Sequence, residues 1–216
     1  MSALFSPRSN ALFRLVLVVV VAGAGGTVAA GMVYWRTPYG TGQQEQVIQP
    51  VDFDHRHHVK DDLIDCRYCH TTVESAASAG IPPTELCLNC HSQVWNKSPL
   101  LDRVRASYFV GQPIPWVRVH RLPDFVYFNH SIHVNKGVGC VECHGRVDQM
   151  AAIEQEQPLT MGWCLDCHRD PYTHLRPPAE VTNMNWKPSG DPAEVGRALA
   201  KENDVRPRTD CYACHR

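Results

Sequence analysis

The chain has 216 residues, of which 44% are hydrophobic and 20% charged, with a formal net charge of -1. That balance excludes a nucleic-acid binder built on clustered basic charge, and the length excludes a disulfide-stapled mini-domain. Aromatic residues are only 8% of the chain, and the segments between its motifs lack long periodic apolar patterns, so side chains alone do not supply an obvious large core.

In chain order, the first predicted element is an uncharged run from Leu15 to Trp35 in which Thr27 is the polar residue. At ~1.5 Å per residue a helix of this length crosses a ~30 Å hydrocarbon layer. Arg8 and Arg14 precede the run, and no acidic residue appears before Glu45. The positive-inside rule then leaves the tip in the cytoplasm and everything after the helix on the far side. A cleaved signal peptide is the alternative, because Val28-Ala29-Ala30 has the small residues of a cleavage site; the run exceeds a usual signal core, so a retained anchor is preferred. Ala22, Gly26 and Ala30 place small residues at four-residue intervals, a surface that another membrane helix can approach. Tyr34 and Trp35 suit the interfacial belt. Residues 1–36 are thus expected as tip and anchor, and the Gly-, Gln- and Pro-containing residues 37–50 as a linker.

The rest of the chain is punctuated by Cys66-Arg-Tyr-Cys69-His70, Cys87-Leu-Asn-Cys90-His91, Cys140-Val-Glu-Cys143-His144, Cys164-Leu-Asp-Cys167-His168 and Cys211-Tyr-Ala-Cys214-His215. One Cys-x-x-Cys pair is as readily half of a zinc site. Here a histidine follows the second cysteine each time and all ten cysteines are used, which is the attachment pattern of c-type haem: two thioethers and a proximal imidazole. The reading is five covalently bound haem c groups, with His70, His91, His144, His168 and His215 as proximal ligands. Porphyrin faces then supply much of the core, and irregular and helical chain wraps them with few or no strands.

The segment also repeats itself. Phe53-Asp-His55-Arg-His57-His58 precedes Cys66 as Phe128-Asn-His130-Ser-Ile-His133 precedes Cys140, and Pro82-Pro-Thr84 precedes Cys87 as Pro158-Leu-Thr160 precedes Cys164. The copies stand roughly 75 residues apart, the mark of a duplicated two-haem module. Residues 51–119 form the first module, 120–178 the second, and 179–216 a C-terminal segment carrying the fifth haem. The histidines outside the motifs are His55, His57, His58, His120, His130, His133 and His174. His57 aligns with Ile132 and is read as a solvated side chain. For haem 5, His120, His174 and Met184 are alternatives, with Met150 and Met161 behind them. His120 is preferred because it opens the distinctive stretch ahead of the second module. Asp191-Pro-Ala-Glu194 predicts a capped helix leading into the last motif, and Ser98 to Ala106 a second short one.

The Phe-x-His-x-x-His pattern resembles small multihaem cytochromes of the c3 and c7 kind. The resemblance implies that the first histidine of each pair serves the nearest haem and the second its neighbour: His55 on haem 1, His58 on haem 2, His130 on haem 3 and His133 on haem 4. With every iron six-coordinate there is no open position for a substrate, no Cys-x-x-Cys-Lys is present, and catalysis by this chain alone is not expected. Trp116-Val-Arg-Val-His120-Arg-Leu-Pro-Asp-Phe-Val-Tyr-Phe128-Asn-His130-Ser-Ile-His133 and Pro158-Leu-Thr-Met-Gly-Trp-Cys164-Leu-Asp-Cys167-His168-Arg169, with five motifs behind a single anchor, carry a narrower resemblance, to the pentahaem subunit of bacterial alternative complex III. That resemblance implies an inner-membrane, quinol-oxidising complex with the haem domain in the periplasm. Its partners would be membrane subunits, an iron–sulfur subunit, and a monohaem cytochrome or oxidase as acceptor. A free-standing quinol dehydrogenase and an electron store are the competing readings.

Overall fold

A computed structural model describes residues 6–215. The first five residues of the expected tip, and Arg216, lie outside the described residues. The chain divides into two compact units, residues 1–42 and 43–216.

The N-terminal unit is dominated by α1, Pro7–Tyr34, of 28 residues. Ser6 caps it by accepting from the Ser9 N–H at 3.2 Å, with Pro7 at the first helical position where a missing N–H costs nothing. Within the apolar stretch the Thr27 hydroxyl donates back to the Gly23 carbonyl at 2.9 Å, so no polar group is left unpaired along it. None of its side chains is buried, and its most apolar window has a mean hydropathy of 2.2. This helix is long and apolar enough to cross a membrane. A single turn, α2 (Pro38–Thr41), follows in the segment expected to be a linker.

The second unit is a series of short helices joined by irregular chain. After a π-type turn at Arg56–Asp61 come α3 (Cys66–Cys69), α4 (Thr84–His91), a 3₁₀ turn at Pro99–Leu101 leading into α5 (Asp102–Val110), and α6 (His130–Asn135). They are followed by α7 (Cys140–His144), α8 (Met161–Arg169), α9 (Pro192–Glu202) and α10 (Cys211–Cys214). Among the described residues there is no strand, only isolated bridges at Gln43–Gln155 and Val138–Leu175.

The predicted C-terminal helix is present as α9, and the Asp191 carboxylate accepts from the Glu194 N–H at 2.9 Å. Its buried face carries Leu199 and Ala200, which meet Leu175 with Val138, Tyr172, Val195 and Val205 around them. Gly196 lies so close to the Tyr172 carbonyl that a Cβ there would overlap it. The other predicted helix begins later than the sequence suggests: Ser98 caps the 3₁₀ turn, and the α-helix proper starts at Asp102.

The apolar core of this unit is small for its length. Val51, Val104, Val134, Leu175, Val181, Met184, Leu199 and Ala200 are its buried hydrophobic residues, and Val181 is the largest side chain fully enclosed. A chain of this size with so few enclosed apolar side chains lacks the burial that ordinarily offsets conformational entropy.

Candidate haem sites

Every Cys-x-x-Cys-His motif begins on a turn of helix, with its two cysteines three positions apart and therefore on one side. The histidine that follows sits at the end of that turn; where it lies just past the helix its N–H closes onto the first cysteine's carbonyl, at 2.8 Å for His70 and Cys66 and 2.9 Å for His215 and Cys211. None of the ten cysteines is in a disulfide. Among the described residues no three His, Cys, Asp or Glu side chains converge on one point, so the thiols are not gathered into tetrahedral zinc sites.

Three of the five motif histidines face another histidine. Ring centres are 6.1 Å apart for His58 and His91, 6.3 Å for His130 and His144, and 6.0 Å for His133 and His168. Two imidazoles binding one metal from opposite sides, each with a bond of about 2 Å, hold their ring centres about 6 Å apart. The three separations therefore match two axial ligands with room for one iron between them. His70 and His55 are electrostatic neighbours as well.

The orientation of seven of these rings is set by the other nitrogen, whereas the Nδ1 of His55 is buried without a hydrogen-bond partner. Nδ1 is hydrogen-bonded to a backbone carbonyl in His58 (Asp54, 2.9 Å), His70 (Gly80, 2.8 Å), His91 (Val94, 3.1 Å), His130 (Ala77, 2.9 Å), His133 (Asn129, 2.7 Å), His168 (Arg208, 2.7 Å) and His215 (Phe125, 3.1 Å). A carbonyl only accepts, so Nδ1 carries the proton and Nε2 keeps its lone pair for a metal. Burial adds to this. It lowers the imidazole pKa of His55 to about 4 and of His144 to about 3, and lowers those of His120 and His133, so these rings are neutral at physiological pH. Neighbouring histidines deepen the shift.

The two Phe-x-His-x-x-His segments adopt one geometry. Phe53 lies edge-on to His55 at 4.7 Å and stacks on His58 at 4.4 Å; Phe128 lies edge-on to His130 at 4.8 Å and stacks on His133 at 4.5 Å. Asp54 and Asn129 each cap the turn that follows, accepting the N–H two residues on at 2.9 Å. One phenyl ring thus wedges two imidazoles apart, and a short segment presents them to two different motifs.

The remaining histidines are placed differently. His57 is half-exposed, within 3.4 Å of the Asp62 carboxylate and stacked on Trp95. His120 lies against His144, ring centres 4.3 Å apart, and its Nε2 is buried without a hydrogen-bond partner. No ring contact joins His120 to His215 among the described residues. His174 donates to the Glu142 carboxylate at 2.8 Å, and that partner raises its pKa. Met184 is buried, and Met161 is exposed.

A feature not legible in the sequence is the pairing of Glu142, inside the third motif, with Arg176 at 2.7 Å. The guanidinium is buried, donates also to the Asn183 carbonyl at 3.0 Å, and lies over Trp186 at 5.3 Å. Side chains at Gly137 or Gly139 would collide with Arg176, so both glycines are required by its path. Nothing in residue spacing marks Arg176 among the other cations of the chain.

Comparison with known proteins agrees with this geometry. Residues 126–216 match the family described as cytochrome c7 and related cytochrome c. Over 199 residues the chain is 29% identical to the menaquinone reductase multiheme cytochrome c subunit of Nitratidesulfovibrio vulgaris (strain Hildenborough), covering 89% of this chain and 87% of that protein. Fold and site together define a multihaem c-type cytochrome with covalently bound haem c and a cytochrome c7-like domain. Its particular character is that of an electron-transport protein carrying one N-terminal helix long and apolar enough to span a membrane.

Proposed function

We propose that this chain is a membrane-anchored pentahaem cytochrome, a subunit of a quinol-oxidising respiratory complex of the alternative complex III kind. It would relay electrons to a periplasmic monohaem cytochrome or an oxidase. The observation that carries the relay is the set of facing imidazoles about 6 Å apart. A site closed by histidine on both sides exchanges electrons and has no position for a substrate. Haem c, when bound, supplies one-electron Fe(III)/Fe(II) chemistry.

The chain's own residues do the rest. Cys66 and Cys69, Cys87 and Cys90, Cys140 and Cys143, Cys164 and Cys167, and Cys211 and Cys214 attach the groups. His70, His91, His144, His168 and His215 hold the proximal side, and His55, His58, His130 and His133 the distal side of the first four. Backbone carbonyls fix the tautomer of these rings except His55 and His144, and Phe53 and Phe128 fix the spacing. His120, against His144, has an unused Nε2; it remains the preferred distal ligand of haem 5 over His174 and Met184, and reaching His215 would require it to move.

The anchor, the five-haem count and the quinol link support one another. The link draws on the name of the Nitratidesulfovibrio relative, a menaquinone reductase subunit. That same name favours a second reading, in which electrons run from a periplasmic donor into the quinone pool. Both are tested on the complex extracted gently from native membranes. Quinol-dependent reduction of a cytochrome, with an iron–sulfur subunit and multispanning partners co-purifying, supports the first reading. Quinone reduction by a reduced cytochrome, without the forward reaction, supports the second. A chain that extracts alone and is reduced by quinol unaided is a free-standing dehydrogenase.

A further inference from the structure

We infer that the attachment sites, numbered by motif along the chain, stand in the spatial order 2–1–3–4–5, with the two modules joined head to head between motifs 1 and 3. The inference rests on the five-haem reading above.

Within each module the order follows from the wedged histidines. His58 faces His91 of motif 2 at 6.1 Å, while His55 neighbours His70 of motif 1, so the segment around Phe53 binds sites 1 and 2 side by side. Cys69 and Cys87 are electrostatic neighbours across the same gap. His130 faces His144 at 6.3 Å and His133 faces His168 at 6.0 Å, which sets site 3 beside site 4, with Cys143 neighbouring Cys164 and Cys167.

The joint between modules is the informative part. Cys66 and Cys140, equivalent positions of the duplication, lie close enough for each thiol to perturb the other. His70 and His55 lie within electrostatic reach of His144. The main-chain contacts are exchanged reciprocally. The histidine segment of the second module docks on the turn after motif 1, with His130 N–H to the Ala77 carbonyl at 3.1 Å, Ser131 N–H to the Ala76 carbonyl at 3.2 Å, and the Asn135 amide to the Glu74 carbonyl at 2.9 Å. The corresponding turn of the first module, Arg56–Asp61, packs on Val147–Gln149 after motif 3. Equivalent segments swapping equivalent contacts describe a local pseudo-two-fold axis passing between sites 1 and 3.

Site 5 attaches to site 4. The carbonyl of Arg208, just ahead of motif 5, holds His168 at 2.7 Å, and Cys164 neighbours Cys214. Exposure agrees with these ends: Cys90 and Cys211 are the exposed cysteines, and they belong to motifs 2 and 5. Each terminal site has a single neighbouring site, so sites 2 and 5 are where the row can meet an outside electron partner.

The test uses the haem-loaded full chain in its native assembly. Mass spectrometry gives the number of haems per chain, and a density map at side-chain resolution traces each porphyrin through its thioethers to its motif. Five haems in the row 2–1–3–4–5, with the thioethers of Cys66 and Cys140 adjacent, is the expected result. Five haems in any other row, such as 1–2–3–4–5 with motif 1 at an end, overturns the order and leaves the five-haem reading standing. A mass gain short of five haems overturns the five-haem reading instead.

Discussion

At the scale of single residues, the outer histidine of each wedge is the one whose loss has a clean signature. His58→Ala leaves the proposed attachment pair Cys87 and Cys90 and the proposed proximal His91 untouched, so haem content should stay the same while one haem turns from low-spin to high-spin. His133→Ala should do likewise at the neighbour of His168, and His57→Ala, at a half-exposed ring, should change nothing. Electron paramagnetic resonance and visible spectra of the three variants check this; a low-spin spectrum in His58→Ala would remove His58 from the ligand set. Protonation gives a second expectation. His55 and His144 have folded pKa values of about 4 and about 3 against an ordinary 6.5. Between those limits the unfolded chain binds protons that the folded chain refuses. Their contribution is thus fully present above about pH 6.5 and declines as pH falls towards the folded values. Denaturant midpoints of the haem-loaded chain, in which iron would hold the same two rings unprotonated, should fall from pH 7.5 to 4, and a flat profile would contradict rings kept neutral by the fold. The candidate ligand histidines are legible because the attachment motif and the repeat are local patterns. The carbonyls of Gly80, Val94 and Arg208 that orient the rings are not, because any residue type supplies a carbonyl.

At the scale of elements, α9 shows how capping and packing divide the work. Asp191, Pro192 and Glu194 specify its start, and all three are readable in the sequence. What it packs on is not readable. Gly196 in mid-helix costs about 1 kcal/mol in propensity relative to alanine, yet its bare Cα lets the helix meet the Tyr172–His174 turn. Gly196→Ala should therefore destabilise despite the better helix former, by a net of up to about 2 kcal/mol, since overpacking against rigid backbone costs about 1–3 kcal/mol and propensity returns about 1. Gly162→Ala on α8 is the control, because a Cβ there meets nothing within 4 Å. Thermal melts of both variants separate packing from propensity, and equal stabilisation of the two would refute the close approach. The helix expected from Ser98 illustrates a boundary error with a physical origin. Ser98 does cap a turn, but Pro99 and the next two residues take a 3₁₀ path, and only Val104 of the apolar set is buried.

At the scale of the whole molecule, the small enclosed apolar set makes the haems part of the fold. Chain produced without haem attachment should be largely unfolded beyond residue 42, with little protection from hydrogen exchange there, while α1 remains helical in detergent. Native-like exchange protection in haem-free chain would show that the side chains suffice. The sequence by itself determined the chemistry: ten cysteines in a strict motif, histidines at repeated offsets, and an uncharged apolar run, all of them patterns that survive without knowing which residues meet. Only the tertiary structure decided which histidine faces which, that Arg176 threads past Gly137 and Gly139 to reach Glu142, and that His120 rests on His144. Those pairings depend on contacts between segments far apart in the chain, and a repeat of roughly 75 residues points to related segments without dictating which of their faces meet.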